Sequence, residues 1–279
     1  MAGIQSLLDR RPRRLVVMGV LNVTPDSFYD GGRYQHLDRA LMQAERLVAE
    51  GAEIIDVGGE STRPGACPVS ESEEIDRVVP VVDALHARIG CAVSIDTSKP
   101  VVMRAAVAAG ASMINDVRAL RAPGAIEAAA ELRVPVCLMH MQGEPRTMQE
   151  APQYVDVVED VAAFLVERAA AACAGGVPRE ALIVDPGFGF GKRIEHNLAL
   201  LRDLGRIAAL GYPVLVGLSR KSMIGTLLGR PVEQRLPASL ALAVIAVLKG
   251  ARIIRVHDVA PTVDALRMAQ AVIGEDAGE

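Results

Sequence analysis

The stretch Leu15-Val16-Val17-Met18-Gly19-Val20-Leu21-Asn22 stays apolar until it meets Asn22. A strand with one wet face alternates polar and apolar residues. A continuous run belongs to a strand buried on both faces, as in a parallel sheet. Seven further β-branched runs of this kind begin near Glu53, Ala92, Ser112, Val134, Leu182, Pro213 and Arg252. Helix-like stretches separate them. Leu37, Leu41, Ala44, Leu47 and Val48 fall at helical spacing within His36–Glu50. Ser70 with Glu73 reads as a capping box, and Pro100 suits a first helical turn. The stretch Val155–Ala172 continues the series, and Gly51, Gly110 and Gly250 stand where helices must stop.

Eight strands, each with its helix, predict a (β/α)8 TIM barrel of class α/β. A doubly wound open sheet is the alternative. No linker, repeat or charge block divides the chain, so residues 1–279 read as a single domain. Residues 1–14 read as an N-terminal extension and 274–279 as a tail expected to be disordered.

Composition excludes several classes. The chain is 51% hydrophobic, with only four Phe, four Tyr and no Trp. That aliphatic mass opposes disorder, and the scarcity of rings opposes a stacking platform for single-stranded nucleic acid. A net charge of −4 provides no basic field for phosphate backbones. Cys67, Cys91, Cys137 and Cys173 form no CxxC pair and read as free thiols in a reducing compartment. The basic start before Leu15 resembles a signal peptide superficially. Its apolar run, however, ends in Asn22-Val23-Thr24-Pro25-Asp26 without a small-residue cleavage site. The longest apolar stretch, Ala238–Leu248, falls short of the ~20 residues that span a bilayer. It reads as a buried helix, and a cytoplasmic location is expected.

Barrel chemistry gathers at strand C-termini. The runs end at Asn22, Asp56, Asp96, Asn115-Asp116, His140, Asp185, Ser219-Arg220-Lys221 and Arg255-Val256-His257-Asp258. Any one of these could be a helix cap, Asp116 and Asp258 above all. Together they predict a polar ring over an apolar floor. Lys221, Arg255 and His257 follow strands seven and eight, the usual barrel location for a phosphate. Arg255 could instead pair with a strand-end carboxylate. Asp96, Asn115, Asp185 and Lys221 could grip a flat heterocycle with adjacent N–H donors and a carbonyl. A glycosidase carboxylate pair or a metal site from Asp96 and Asp185 stays open on residue types alone. The loop Gly187-Phe188-Gly189-Phe190-Gly191-Lys192 fits neither nucleotide template, because its spacing is GxGxG and Arg193 follows the lysine. A mobile or closely approached backbone is the better reading.

These runs resemble the dihydropteroate synthase family of the bacterial folate pathway. The resemblance rests on Met18–Phe28, Asp56–Gly65, Ser94–Pro100, Met113–Asp116, Leu138–Gly143, Asp185–Lys192, Gly217–Ser222 and Arg255–Asp258, in order from about Leu15 to about Ala269. It implies a barrel that joins p-aminobenzoate to 6-hydroxymethyl-7,8-dihydropterin diphosphate, with release of diphosphate. Asp96, Asn115, Met139, Asp185, Lys221 and Arg255 are then expected to hold the pterin. Asn22, Thr62, Arg255 and His257 would hold the diphosphate, with Asn22 tied to Mg²⁺. Phe28, Thr62, Arg63, Pro64, Phe190, Lys221 and Ser222 would surround p-aminobenzoate. Asp96, Lys221, Arg255 and His257 carry the implied chemistry: a dissociative departure of diphosphate under loops Val23–Gln35 and Ser61–Val69.

The resemblance also implies sulfonamide inhibition and a homodimer, with Ala238–Leu248 as a contributor or as packed core. Tyr29 departs from the family's usual serine, and Pro237 and Ala238 replace more polar or glycine-like residues. A pterin-binding methyltransferase and a non-catalytic pterin-binding paralogue are the alternative functions. Phe28, Tyr29, Tyr34, Phe188 and Phe190 place five of the eight aromatics at the expected mouth.

Overall fold

The computed structural model describes residues 4, 14–23, 33–61, 67–144 and 147–273. Phe28, Tyr29, Thr62, Arg63 and Pro64 lie outside these residues. The strands are β1 (Val16–Asn22), β2 (Ile54–Gly58), β3 (Ala92–Asp96), β4 (Met113–Asp116), β5 (Val136–Met139), β6 (Leu182–Asp185), β7 (Val214–Val216) and β8 (Ala251–Val256). They form a closed parallel barrel in sequence order, and β8 pairs with β1. The open-sheet alternative is thereby excluded.

Between the strands run α1 (Arg33–Ala49), α2 (Glu71–Arg88), α3 (Pro100–Ala108), α4 (Ala125–Leu132), α5 (Val157–Ala174), α6 (Ile194–Arg202), α7 (Leu204–Ala208), α8 (Ser222–Leu228), α9 (Leu236–Leu248) and α10 (Val259–Ile273). Helix α1 begins at Arg33, so Tyr34 belongs to a helix and not to the first loop. The Ser70 hydroxyl accepts the Glu73 amide at 3.3 Å and caps α2. The Glu73 carboxylate pairs with Arg77 one turn on, so the cap is half a box. Pro100 opens α3, and Pro237 sits in the first turn of α9. Gly51, Gly110 and Gly250 have φ of 105°, 112° and 102°, the left-handed half of backbone space that glycine enters most easily.

Strand periodicity divides the core in two. Val16, Met18, Ile54, Met113, Cys137, Ile183, Leu215 and Ile253 point into the barrel and pack on one another. Their neighbours, including Val17, Ile55, Ile114, Leu138, Val184, Val216 and Ile254, point outward and pack under the helices. Among the described residues, the inner plug contains no aromatic ring. Phe188, expected at the mouth, is instead 1% exposed in the outer core. Helix α9 buries only Ser239, Ala243 and Ala246, while Ile245 and Leu248 are exposed. The reading of a wholly buried helix is therefore corrected: one narrow face of small residues meets the barrel. Among the described residues, no helix is long and apolar enough to cross a membrane.

Candidate active site

Side chains alternate along a strand, so the residue two positions after a plug residue also faces the barrel axis. From Ile54 that step leads to Asp56, from Met113 to Asn115, from Cys137 to Met139, from Ile183 to Asp185 and from Ile253 to Arg255. The same step leads from Ser94 to Asp96 and from Val20 to Asn22. An aliphatic plug thus passes into a polar ring one pleat higher, at the C-terminal mouth.

Arg255 organises this ring. Its Nε donates to Asp56 Oδ2 at 2.6 Å, and its Nη2 donates to Asp96 Oδ2 at 2.9 Å. Asn115 Nδ2 donates to the same Asp56 oxygen at 3.1 Å. Register brings Asp96 beside Asn115 across β3 and β4, and Gly58 beside Asp96 and Asn22. The salt-bridge reading of Arg255 and its place at the mouth are both realised. Asp56, a member of the expected ring without a ligand role of its own, is wholly buried, and its Oδ1 makes no hydrogen bond among the described residues. A charge in mid-strand was the available signal, because an ionised side chain enters a barrel only with partners.

The ring is electrostatically tense. Burial and repulsion from Asp56, opposed by Arg255, push Asp96 up to about 7. Burial lifts Asp185 to about 6, against the Gly187 amide and the nearby Lys221. Burial pulls Lys221 down to about 8, with Asp185 opposing and Arg255 reinforcing the shift. Perturbed acids and bases facing one cavity mark a functional site. Burial and the positive Arg255 hold His257 down to about 4, and its Nδ1 lies 3.1 Å from Ser219 Oγ.

One wall is apolar. Met139 packs with Val117, Met141 and Met148, and Phe190 rests against them. Lys221 Nζ stands 4.3 Å from the centre of the Phe190 ring, at cation–π distance. Phe190 belongs to the β6–α6 loop, whose glycines are closely approached. A Cβ on Gly187 would lie 1.9 Å from the His140 carbonyl oxygen, and one on Gly191 2.4 Å from that of Gln142. Ser222 opens α8, where it is exposed. At the second loop, Lys99 Nζ donates to Glu60 at 2.6 Å, to Glu74 at 2.5 Å and to the Val69 carbonyl at 2.7 Å.

The other strand-end residues have opposite parity and face outward. Asp116 accepts the Arg118 and Leu120 amides at 2.8 and 2.7 Å and pairs with the Ser98 hydroxyl. Asp258 holds Arg220 through two bonds of 2.8 and 2.5 Å. His140 turns to Lys192, with its Nδ1 2.8 Å from the lysine Nζ, and its ring meets Phe164 edge-on. Burial draws His140 down to about 2 and Lys192 to about 7. The expectation that nearly every strand end serves the mouth is therefore corrected: parity removes these residues from it.

The mouth can hold a flat, hydrogen-bonding ring between the methionine wall and Arg255. It can hold an anion toward Arg255 and His257. Among the described residues, no three His, Cys, Asp or Glu side chains cluster to hold a metal unaided.

The model of the family described as "Pterin binding enzyme" matches residues 18–257. The dihydropteroate synthase of Haemophilus influenzae is 57% identical over 255 residues, 91% of this chain and 93% of that protein. The structure of Yersinia pestis dihydropteroate synthase with a sulfonamide drug complex superposes with a TM-score of 0.89 at 52% identity, covering 94% and 95% of the two chains. That of the Xanthomonas albilineans enzyme in complex with 7,8-dihydropteroate gives 0.86 at 50% identity, covering 96% and 98%. Sequence, barrel and mouth agree: the chain belongs to the pterin-binding enzyme family and, within it, to the dihydropteroate synthases, which are transferases.

Proposed function

We propose that the chain joins p-aminobenzoate to 6-hydroxymethyl-7,8-dihydropterin diphosphate, giving 7,8-dihydropteroate and diphosphate. The observation that carries this reading is the convergence of buried Asp185 and Asn115 with half-buried Lys221 and Asp96 above an aliphatic floor. The Asp185 carboxylate accepts the adjacent N–H groups of the pterin. Lys221 donates to its carbonyl or ring nitrogen, Asn115 and Asp96 meet its other edge, and Met139 lines the wall. Arg255 lies against the ring and reaches with His257 and Asn22 toward the diphosphate.

The bond from the methylene carbon to diphosphate oxygen breaks first, and its electrons leave with the diphosphate. The cation left behind is spread through the dihydropterin, next to Asp96. Arg255 and His257 stabilise the departing charge, a preorganised electrostatic effect. The arylamine nitrogen then bonds to the methylene carbon and loses a proton. Phe190, Lys221 and Ser222 line the p-aminobenzoate side, together with Phe28, Thr62, Arg63 and Pro64 from outside the described residues. Closure of the two loops keeps water from the cation.

A magnesium ion fits this donor set. Asn22 offers one hard oxygen at the mouth, and Mg²⁺ commonly takes few protein ligands and completes its shell with substrate phosphates and water. When bound, it supplies charge neutralisation on the diphosphate. Sulfonamides are expected to compete with p-aminobenzoate. Two copies would assemble through the apolar face that carries Ile245 and Leu248 of α9, which light scattering reads directly. We place the protein in the cytoplasm.

The test is an assay of dihydropterin diphosphate with p-aminobenzoate, with and without Mg²⁺, that measures dihydropteroate and diphosphate. Formation of both products is expected. Absence of dihydropteroate overturns the reading. Exchange of the bridging oxygen of the dihydropterin diphosphate into non-bridging positions, without p-aminobenzoate, is the expected mark of the dissociative order.

A further inference from the structure

Lys192 takes no part in the chemistry above, yet it is among the least exposed ionisable residues, at 3%. It lies behind the mouth, on the helix side of β5 and β6. Its Nζ is 2.9 Å from the Gly187 carbonyl oxygen, 3.1 Å from that of Phe190 and 3.4 Å from that of His140, besides the bond to His140 Nδ1. The β6–α6 loop therefore curls around one amine. Gly187, Gly189 and Gly191, with φ of 68°, 80° and 60°, permit so tight a path.

Two of the three residues whose carbonyls Lys192 meets, Gly187 and Phe190, lead to the mouth. The Gly187 amide donates to Asp185 Oδ1 at 2.7 Å, so by holding the carbonyl of the following peptide Lys192 fixes the residue whose N–H orients the Asp185 carboxylate. Phe190 carries the ring beneath Lys221 Nζ. Asn197, Gln149 and Tyr154 pin the rest of the loop, at Gly189 N, Gly189 O and Gly191 O, at 2.8, 2.6 and 2.7 Å. Only Lys192 gathers carbonyls from both ends of the Gly187–Phe190 turn among these groups.

We propose that Lys192 is a positioning residue. It holds the β6–α6 loop in the shape that aims Asp185 at the pterin and sets Phe190 against p-aminobenzoate. This rests on the function proposed above. It predicts that one residue touching neither substrate tunes the binding of both.

The test is Lys192→Met, which keeps length and apolar bulk and removes every donor, with Lys192→Gln as a partial replacement. Folded fraction is measured by far-ultraviolet circular dichroism, and kinetics are expressed per folded enzyme. The KM for p-aminobenzoate is expected to rise about tenfold in Lys192→Met, with weaker pterin binding by calorimetry and a smaller rise in Lys192→Gln. A folded Lys192→Met with wild-type KM and wild-type pterin affinity overturns the proposal and leaves only a stabilising role. If neither variant folds, hydrogen exchange of the wild type decides. The Gly187, Gly189 and Phe190 amides are expected to be protected, and rapid exchange there overturns the pinned loop. A wild type that makes no dihydropteroate overturns the proposed function instead, and the binding and exchange measurements still judge Lys192.

Discussion

Two rings of polar side chains crown the barrel, one residue out of phase. The inner ring holds Asp56, Asp96, Asn115, Asp185 and Arg255, and the outer ring holds Asp116, His140, Arg220 and Asp258, with Lys192 of the β6–α6 loop bonded to His140. The residue types are nearly the same. The difference is what each side chain finds. Outer groups meet backbone amides and one another, and their hydrogen bonds are largely met within the protein. Inner groups meet like charges in a confined space, and Asp56 Oδ1 has no hydrogen-bond partner among the described residues. Parity along a strand, more than residue type, separates the groups that secure the loops from those available to a ligand.

The sharpest way to break this contrast is Arg255→Ala. Two carboxylates, Asp56 and Asp96, would lose their shared cation. Loss of one member of a buried ion pair costs about 3–5 kcal/mol, so urea denaturation should show a fall of that order. In whatever fraction folds, a diphosphate-bearing pterin should lose more affinity than the free pterin. Equal losses would remove Arg255 from the anion site.

Asp185→Asn acts on recognition. An acceptor becomes a donor facing a donor, a mismatch of about 1–3 kcal/mol, so calorimetry should show pterin affinity reduced by roughly ten- to a hundredfold. The pH dependence should point the same way. Asp185, raised to about 6, gains a proton as pH falls through that value and then presents a hydroxyl to the ligand. Pterin affinity should therefore rise with pH through about 6 and level off above it. A pH-independent affinity would exclude Asp185 as the acceptor.

The outer ring should respond in stability alone. Asp116→Ala frees the Arg118 and Leu120 amides and should cost about 1–3 kcal/mol in thermal or urea unfolding, with pterin affinity kept. A comparable loss of affinity would erase the distinction between the rings. The smallest effect is expected from Arg220→Ala. Its pair with Asp258 is partly exposed and worth about 1 kcal/mol or less, with kcat unchanged.

The barrel was legible because runs such as Leu15–Leu21 and Leu182–Val184 are apolar on both faces, which only a covered parallel sheet requires. Asp96, Asn115 and Asp185 were legible because they end such runs. His140 and Asp116 ended runs too, and residue identity did not reveal that they lie one position out of phase. Counting in twos from a plug residue such as Met113 or Cys137 would have separated them. Asp56 was harder, since its importance comes from Arg255, 199 residues away in sequence. The Gly187–Gly191 loop offered a choice between motion and close approach, and the His140 and Gln142 carbonyls that decide it come from a different strand end.

The ring-free plug has an optical consequence. With no tryptophan and only four tyrosines, the chain absorbs little in the near ultraviolet, where a conjugated pterin ring absorbs. The barrel is close to a clear vessel, so occupancy of the mouth should be readable from the spectrum of the guest, without a dye, a label or an added reporter.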